Sequence, residues 1–424
     1  MSAHSEPGAG NPAEALPVLP TEQGFNLLSG VRIIDLTTSI AGPSATVLLA
    51  DMGAEVFKIE KPNGGDDARS WGPPFLADES LWFLSVNRNK KSVALDYSQP
   101  EGLDILYQLV RCADIVVASV PPRVARKLKV DAETLRHLYP NLIYVSITGF
   151  GLAGERSDWT CYDLIAEGYS GIMDLTGDAG GQPQKIGAPA ADMLAGQDAA
   201  CSAVSALYAR QQTGVGHVID VALVDSMTRF LRCRIVPYLG SGEVPTRSGG
   251  KDSVIAIYQT FETADLPITL GLGSDNLWQR FWTAIGRPEM VDMPGMTTNA
   301  QRRSKRQQIV AMISDILRKE PQDYWLALLR EARVPAGPIN SVAQVVCDGA
   351  LIDRRMFYRS ETAGGRLVPQ VGTGIVIDGC SNVPRAMAPR LGEHTESVLR
   401  GLLGVDETQL KRLHEKCITG GMRL

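Results

Sequence analysis

Residues 31–60 read VRIIDLTTSIAGPSATVLLADMGAEVFKIE. Residues 31–36 form a short β-branched apolar run, and 55–60 (EVFKIE) form a second. Between them Gly42 and Pro43 open a helical stretch that Gly53 closes, following the preference for proline at helix starts and glycine at helix ends. Strand, helix and strand within about 30 residues make a βαβ unit, which requires parallel pairing. The alternation continues through SVALDY (92–97), the helix EGLDILYQLVRC (101–112), ADIVVASV (113–120) and LIYVSITGF (142–150). The predicted fold class is α/β, with an open Rossmann-like sheet whose ligands sit at the carboxyl ends of the strands. The turn after the first strand, TTSIAGPSAT (37–46), lacks GxGxxG, so neither a nicotinamide nor a flavin cofactor is expected.

Downstream, residues 162–225 begin as a polar, glycine-rich run, reach GAPAAD (187–192), and pass into a long helix of small apolar residues predicted to start near Met193. This puts Asp192 at a loop-to-helix junction, where a carboxylate serves either as an N-cap for orphan backbone N–H groups or as a nucleophile in a water-poor spot. From about Phe230 to Pro338 the texture changes. IAIYQTFET and LPITLGLGS read as antiparallel strands, while RRSKRQQIVAMISDILRK and PQDYWLALLREARV read as amphipathic helices. RSGGKDS (247–253) is either a simple turn or a mobile lid. The last segment, with RLVPQVGTGIVI and LGEHTESVLRGLLG, reads as a return to the first domain. The expected organisation is a leader over 1–26, a large domain over 27–228, a small α+β domain over 229–339, and the C-terminal return over 340–424.

The chain of 424 residues is 44% hydrophobic and 21% charged, with a formal net charge of −5. That balance suits a globular protein and argues against non-specific nucleic-acid binding. No apolar run reaches the ~18–20 residues of a membrane span. The Pro/Gly/Ala-rich first 26 residues lack the features of a signal peptide and read as disordered, so a cytoplasmic location is expected. The seven cysteines are scattered without CxxC spacing, and the five histidines form no HExxH pair, so neither a disulfide framework nor a metal site is expected. Cationic residues recur near the strand ends: Lys58, Lys61 and Arg69; Arg88, Lys90 and Lys91; Arg123, Arg126, Lys127 and Lys129. Together they suggest a polyanionic ligand such as a nucleotide phosphate.

The run GVRIIDLTTSIAGPSATVLLADMGAEVFKIEKPNGGDDAR resembles the opening of the class III CoA-transferases, the family of formyl-CoA transferase and carnitine CoA-transferase. NRNKKSVALD, the spaced YD, SG, TG and G.P..D elements of 162–192, RQQTGVGHVIDVALVD and LGEHTESVL resemble that family's later motifs in the same order. The resemblance runs from Leu27 to Leu403. It implies a Rossmann-like large domain built from both chain ends, a smaller domain, and two subunits interlocked like links of a chain. It also implies that Asp192 is the nucleophile, with Asp163 beside the site (an N-cap for LIAEGYSG on the plainer reading) and Gly249 and Gly250 in the family's glycine loop. By position, the family's CoA contacts fall on Ile40, Ala41, Lys61, Leu95, Asp96, Tyr97, Ser98, Ser119, Val120, Pro121, Lys127, Thr160, Cys161, Tyr162 and Asp163.

The implied activity moves CoA from an acyl-CoA donor, such as succinyl-CoA, to a small carboxylic acid. It proceeds through an aspartyl anhydride and an aspartyl-CoA thioester, with no tightly bound cofactor, no nucleic acid and no membrane. Ile40, Ser98, Val120 and Pro121 depart from formyl-CoA transferase and argue against formyl or oxalyl specificity. An α-methylacyl-CoA racemase on the same fold would carry a histidine at position 162, where this chain has tyrosine, whose unperturbed pKa near about 10 makes it a poor base. One subunit of a heteromeric transferase is the other alternative. Arg229, Arg232, Arg234 and Arg247 are candidates for holding the second carboxylate of a dicarboxylic substrate.

Overall fold

The structure, a computed structural model, describes residues 11–21 and 24–420. Two compact units are present: one runs to Gly171 and includes Ile186–Arg232 and everything from Val346 on, and the other is Ile172–Lys185 with Cys233–Val345.

The first unit is built on a six-stranded sheet of β1 (Arg32–Leu36), β2 (Glu55–Glu60), β3 (Lys90–Ala94), β4 (Ile115–Ala118), β5 (Ile143–Thr148) and β6 (Val218–Ala222), in the order β3-β2-β1-β4-β5-β6. Every neighbouring pair is parallel. β4 and β5 are buried along their whole length, which is why their sequences are near-continuous apolar runs. Each fully buried Ile, Val or Leu contributes roughly 1.5–3 kcal/mol. The strand order reverses between β1 and β4, so the turns after these two strands diverge and leave a crevice.

The helices of this unit include α1 (Ala41–Asp51), α2 (Pro100–Arg111), α3 (Pro122–Leu128), α4 (Asp163–Ser170), α5 (Ala190–Thr213) and α6 (Leu223–Phe230). α1 is almost wholly buried, and α5 lies against it. Gly196 is the point of closest approach, since an added Cβ there would lie 2.0 Å from Ser44 Oγ and 2.8 Å from the Ala41 carbonyl oxygen. Only glycine lets the two helices meet at this spacing.

The second unit has an antiparallel sheet of β7 (Tyr258–Phe261), β8 (Ile268–Gly271) and β9 (Ala336–Pro338), packed with α7 (Asp275–Ala284), α8 (Arg306–Leu317) and α9 (Gln322–Glu331). Its core centres on Trp278, Phe281, Trp282, Ile313 and Trp325.

In the first unit the hairpin of β10 (Phe357–Glu361) and β11 (Leu367–Val371) precedes α10 (Thr395–Leu403) and α11 (Glu407–Glu415). Val398, Leu399, Leu410, Leu413 and Ile418 share one core with Leu36, Phe57 and Leu106. Both ends of the chain therefore complete the same core. No helix among the described residues is long and apolar enough to cross a membrane.

Several expectations are corrected. β6 escaped the sequence reading because HVIDVA alternates too briefly before a helix. Residues 11–21, within the stretch read as a disordered leader, run along β10: the Leu19 N–H donates to the Arg359 carbonyl (2.8 Å) and the Arg359 N–H to the Pro17 carbonyl (2.8 Å). Residues 1–10 and 22–23 of that leader lie outside the described residues. The reading of Lys58, Arg69, Arg88 and Lys90 as ligand-facing cations fails as well. Lys58 pairs with Asp66 (2.8 Å), Arg69 with Glu60 (2.7 Å), Arg88 with Asp51 (2.6 Å) and Lys90 with Asp35 (3.2 Å), all in the interior. The physical reason is register: Lys58 stands beside Asp35 across the β1–β2 ladder, inside the sheet and not on a loop.

Candidate active site

The crevice between the β1 and β4 turns deepens into a cavity of about 280 Å³. Thr38, Ser39 and Ala41 supply one wall, Ser119, Pro121 and Pro122 another, and Thr148, Gly149, Ser157 and Trp159–Tyr162 a third, with Asp192 and Leu223 among the rest. The Thr38 N–H donates to Ser119 Oγ (3.1 Å), tying the two diverging turns together. A Cβ on Gly149 would lie 2.1 Å from Cys161 Cβ, so glycine is what lets the 160–162 segment lie against the end of β5.

Asp192 does not cap its helix. α5 begins at Ala190, Pro189 occupies the cap position, and Asp192 is the third helical residue. The missing cap comes from another element. Asp163 Oδ1 accepts the N–H groups of Ala191 (2.8 Å) and Asp192 (3.2 Å), satisfying two donors that the start of α5 would otherwise leave orphaned. Asp163 is itself the first residue of α4 and caps nothing in its own helix. One turn further along α4, the buried Glu167 accepts the Ile186 N–H through Oε2 (2.9 Å). Two carboxylates on one helix face thus hold the backbone at both ends of the segment that delivers Asp192.

The electrostatics follow from that placement. Burial, and behind it the nearby Asp163, push the Asp192 carboxyl up from 3.8 to about 7. The Cys161 thiol is driven up to about 11 by burial and then by Asp192, so it stays protonated beside the carboxylate. A carboxylate this basic is a stronger nucleophile than an ordinary aspartate, yet it is still substantially ionised near neutral pH.

Among the residues singled out from the sequence, Ala41, Ser119, Pro121, Thr160, Cys161, Tyr162 and Asp192 line this one cavity, and Asp163 bonds to the backbone of Asp192. Lys61, Lys127 and Ser98 are exposed, while Val120 packs at the edge of the main core. The side chains of Ile40 and Leu95 are buried, Leu95 beneath the C-terminal segment, whose Ile418 carbonyl accepts the Asp96 N–H (2.8 Å). Asp96 caps its own turn through Ser98 (N–H 3.0 Å, Oγ 2.6 Å), and Tyr97 packs against the core.

In the second unit, the Gly249 N–H donates to the Gly177 carbonyl (3.1 Å), the Gly250 carbonyl accepts the Thr260 N–H (3.3 Å), and Arg247 grips Asp174 (2.7 Å) and the Gly181 carbonyl (3.1 Å). Arg229 and Arg234 are ion-paired with Asp198 and Asp252. Arg232 is exposed and makes no ion pair among the described residues. Thr38, Ser39, Asp67, Trp159 and Glu167 were missed by the sequence reading. Only the glycine–aspartate run GGDDAR, following a strand, could have flagged Asp67.

The chain as a whole matches known proteins. Residues 28–395 match the model of CoA-transferase family III. The succinate–glutarate CoA-transferase of Agrobacterium fabrum is 37% identical over 388 residues, covering 90% of this chain and 97% of that protein. The succinyl-CoA:glutarate CoA-transferase of Mus musculus is 35% identical, covering 91% and 88%. A crystal structure of a CAIB/BAIF family protein from Brucella suis superposes with a TM-score of 0.77 at 35% identity, covering 90% of this chain and 100% of that one. By the match over residues 28–395 and by these relatives, the chain belongs to CoA-transferase family III and is a CoA-transferase.

Proposed function

We propose that this enzyme moves CoA between an acyl-CoA and a carboxylic acid, with Asp192 as the covalent nucleophile. The observation that carries the reading is a half-buried carboxylate in the switch-point crevice whose pKa is raised to about 7. The Asp192 carboxylate attacks the thioester carbonyl, forming a mixed anhydride and expelling CoA thiolate. The thiolate then attacks the aspartyl carbonyl of that anhydride, giving an aspartyl-CoA thioester and the free donor acid. The acceptor carboxylate attacks the thioester, releasing CoA thiolate and forming a second anhydride. The thiolate opens this anhydride at the acceptor's acyl carbon, giving the new acyl-CoA and restoring Asp192. Each intermediate keeps an activated carbonyl, so no nucleotide hydrolysis is needed.

Asp163 positions the nucleophile through its backbone, and the walls at Ala41, Ser119, Pro121 and Thr160–Tyr162 receive the thioester. In this reading the exposed Lys61 and Lys127 meet the phosphates of CoA. The enzyme works as an interlocked homodimer in the cytoplasm, with a large CoA-binding domain and a smaller one. Succinyl-CoA is the favoured donor and a dicarboxylic acid the favoured acceptor, because the mouse relative's name pairs succinyl-CoA with glutarate and the Agrobacterium relative's pairs succinate with glutarate. The racemase alternative has less to stand on, since Tyr162 precedes Asp163 and no histidine among the described residues lines the cavity.

The test is incubation with succinyl-CoA, rapid digestion and mass spectrometry of the peptide containing Asp192. A CoA adduct on Asp192 that disappears in Asp192→Asn is the expected result. Transfer activity without any adduct, or activity surviving in Asp192→Asn, refutes the mechanism.

A further inference from the structure

Beneath the crevice wall lies an ion pair that the chemistry above does not use. Lys58 and Asp66 are wholly buried, with Lys58 Nζ 2.8 Å from Asp66 Oδ2. Each partner also reaches the backbone of the first strand-to-helix turn. Lys58 Nζ donates to the Thr37 carbonyl (2.9 Å), and Asp66 Oδ1 accepts the Ser39 N–H (3.0 Å). Asp66 Oδ1 also accepts the Ala68 N–H (3.0 Å), which fixes Asp67, another residue of the cavity wall. Ser39 has φ of 69°, the left-handed region that a non-glycine residue avoids unless its surroundings impose it. The imposed shape turns Thr38 and Ser39 toward the cavity and lets the Thr38 N–H bridge to Ser119.

Two charges taken fully out of water are a poor way to stabilise a fold, because apolar residues of the same volume usually do as well. Charge-assisted bonds to backbone atoms are, however, an effective way to hold a strained turn. We propose that the Lys58–Asp66 pair is a positioning device for substrate binding, holding residues 37–41, with Ser39 in the left-handed region, in the shape that keeps the crevice open to the CoA thioester. This rests on the reading of the crevice as the CoA site.

The test compares two double variants of the full chain, Lys58→Met/Asp66→Ala and Lys58→Met/Asp66→Asn. Neither leaves a lone buried charge, and only the second restores an acceptor for the Ser39 N–H. Coenzyme A binding is read by calorimetry, and KM and kcat with succinyl-CoA by steady-state kinetics. The alanine double variant is expected to lose about tenfold in CoA affinity and to show a KM about tenfold higher with kcat within about twofold, and the asparagine double variant to recover most of that change. Unchanged CoA affinity in the alanine variant, or a loss that asparagine does not recover, overturns the proposal.

Should the alanine variant fail to fold, Ser39→Pro serves instead. It removes the N–H and forbids the left-handed φ while leaving the ion pair intact. CoA affinity equal to that of the unaltered protein then overturns the proposal, and weakened affinity with an unchanged melting temperature supports it. Failure of the covalent mechanism is separately visible. CoA binding that depends on the pair, in a protein that forms no Asp192 adduct, upholds the positioning role and removes the nucleophile.

Discussion

Replacing Asp192 by asparagine should stabilise the protein above pH 7 and change little near pH 4. Burial, followed by the proximity of Asp163, raises the folded-state carboxyl from 3.8 to about 7. Between these values the folded chain keeps a proton that the unfolded chain has released. The folded state therefore binds more protons there, and stability falls as pH rises through the window, levelling off above about 7. A gap of about three pK units corresponds to ~4 kcal/mol at its ceiling. Asp192 is only half-buried, and solvent at the cavity mouth brings the expected penalty to about 2 kcal/mol.

Asparagine is nearly isosteric with the protonated acid and cannot ionise, so it should abolish the pH dependence without altering the packing. For a chain of this length about 2 kcal/mol corresponds to roughly 2 °C in Tm. Thermal melts of both proteins between about pH 4.5 and 8.5 should show curves that coincide in acid and part progressively toward neutrality, the variant lying higher. An offset independent of pH, or a variant less stable in alkaline buffer, would falsify the claim that the carboxylate sits in a water-poor place.

The same titration should appear in catalysis. On the proposed mechanism the ionised form attacks, so kcat/KM for the acyl-CoA should rise about tenfold per pH unit in acid and flatten above about 7. Asp163→Asn keeps the acceptor for the Ala191 and Asp192 N–H groups but removes a neighbouring charge, so the acidic limb should move to lower pH; a limb that stays in place refutes the coupling. Gly196→Ala forces a methyl group against Ser44 and should cost about 2 kcal/mol, read as a lower Tm with reduced activity; a variant of unchanged Tm shows that α1 and α5 can part freely. Arg232→Ala should raise KM for a dicarboxylic acceptor about tenfold while sparing a monocarboxylic one, since a single charge-assisted pair is worth that much. Equal effects on both acids would assign Arg232 to structure.

The sheet was legible because its strands are buried on both faces, so RIIDL, IVVA and IYVSIT stand out as apolar blocks between helix signals. Asp192 was legible as a carboxylate at a helix start, but its position was misjudged by three residues. A proline at the cap site implies that some other group must serve the helix, and local sequence does not say which. That group, Asp163, lies 28 and 29 residues before the N–H groups it caps, and Glu167 lies 19 before the one it holds, so neither role leaves a local pattern. The lysines misled for a related reason. A charge within a strand looks like surface until register sets it opposite an acid, as it sets Lys58 beside Asp35. Burial pushes the Asp35 carboxyl up, but Lys90 and Lys58 outweigh it and bring the group down to about 2, a balance visible only in three dimensions.

The shared core of Leu36, Phe57 and Leu106 with Val398, Leu413 and Ile418 has a consequence for how the chain comes into being. A ribosome releases the N-terminal strands long before the residues that close over them. While the intervening residues are made, the β1–β2–β3 edge waits with apolar surface uncovered, and Leu95 lacks the Ile418–Gly420 segment that pairs beside it. Cys233–Val345, by contrast, emerges nearly as one continuous piece and can condense during synthesis. The nascent chain therefore passes through a stage in which its smaller part is folded and its catalytic part is an open, adhesive sheet. Stop codons or tags that disturb the last ten or so residues before Gly420 would prolong that stage, so aggregation during expression should be more sensitive to the C-terminus than its distance from Asp192 suggests.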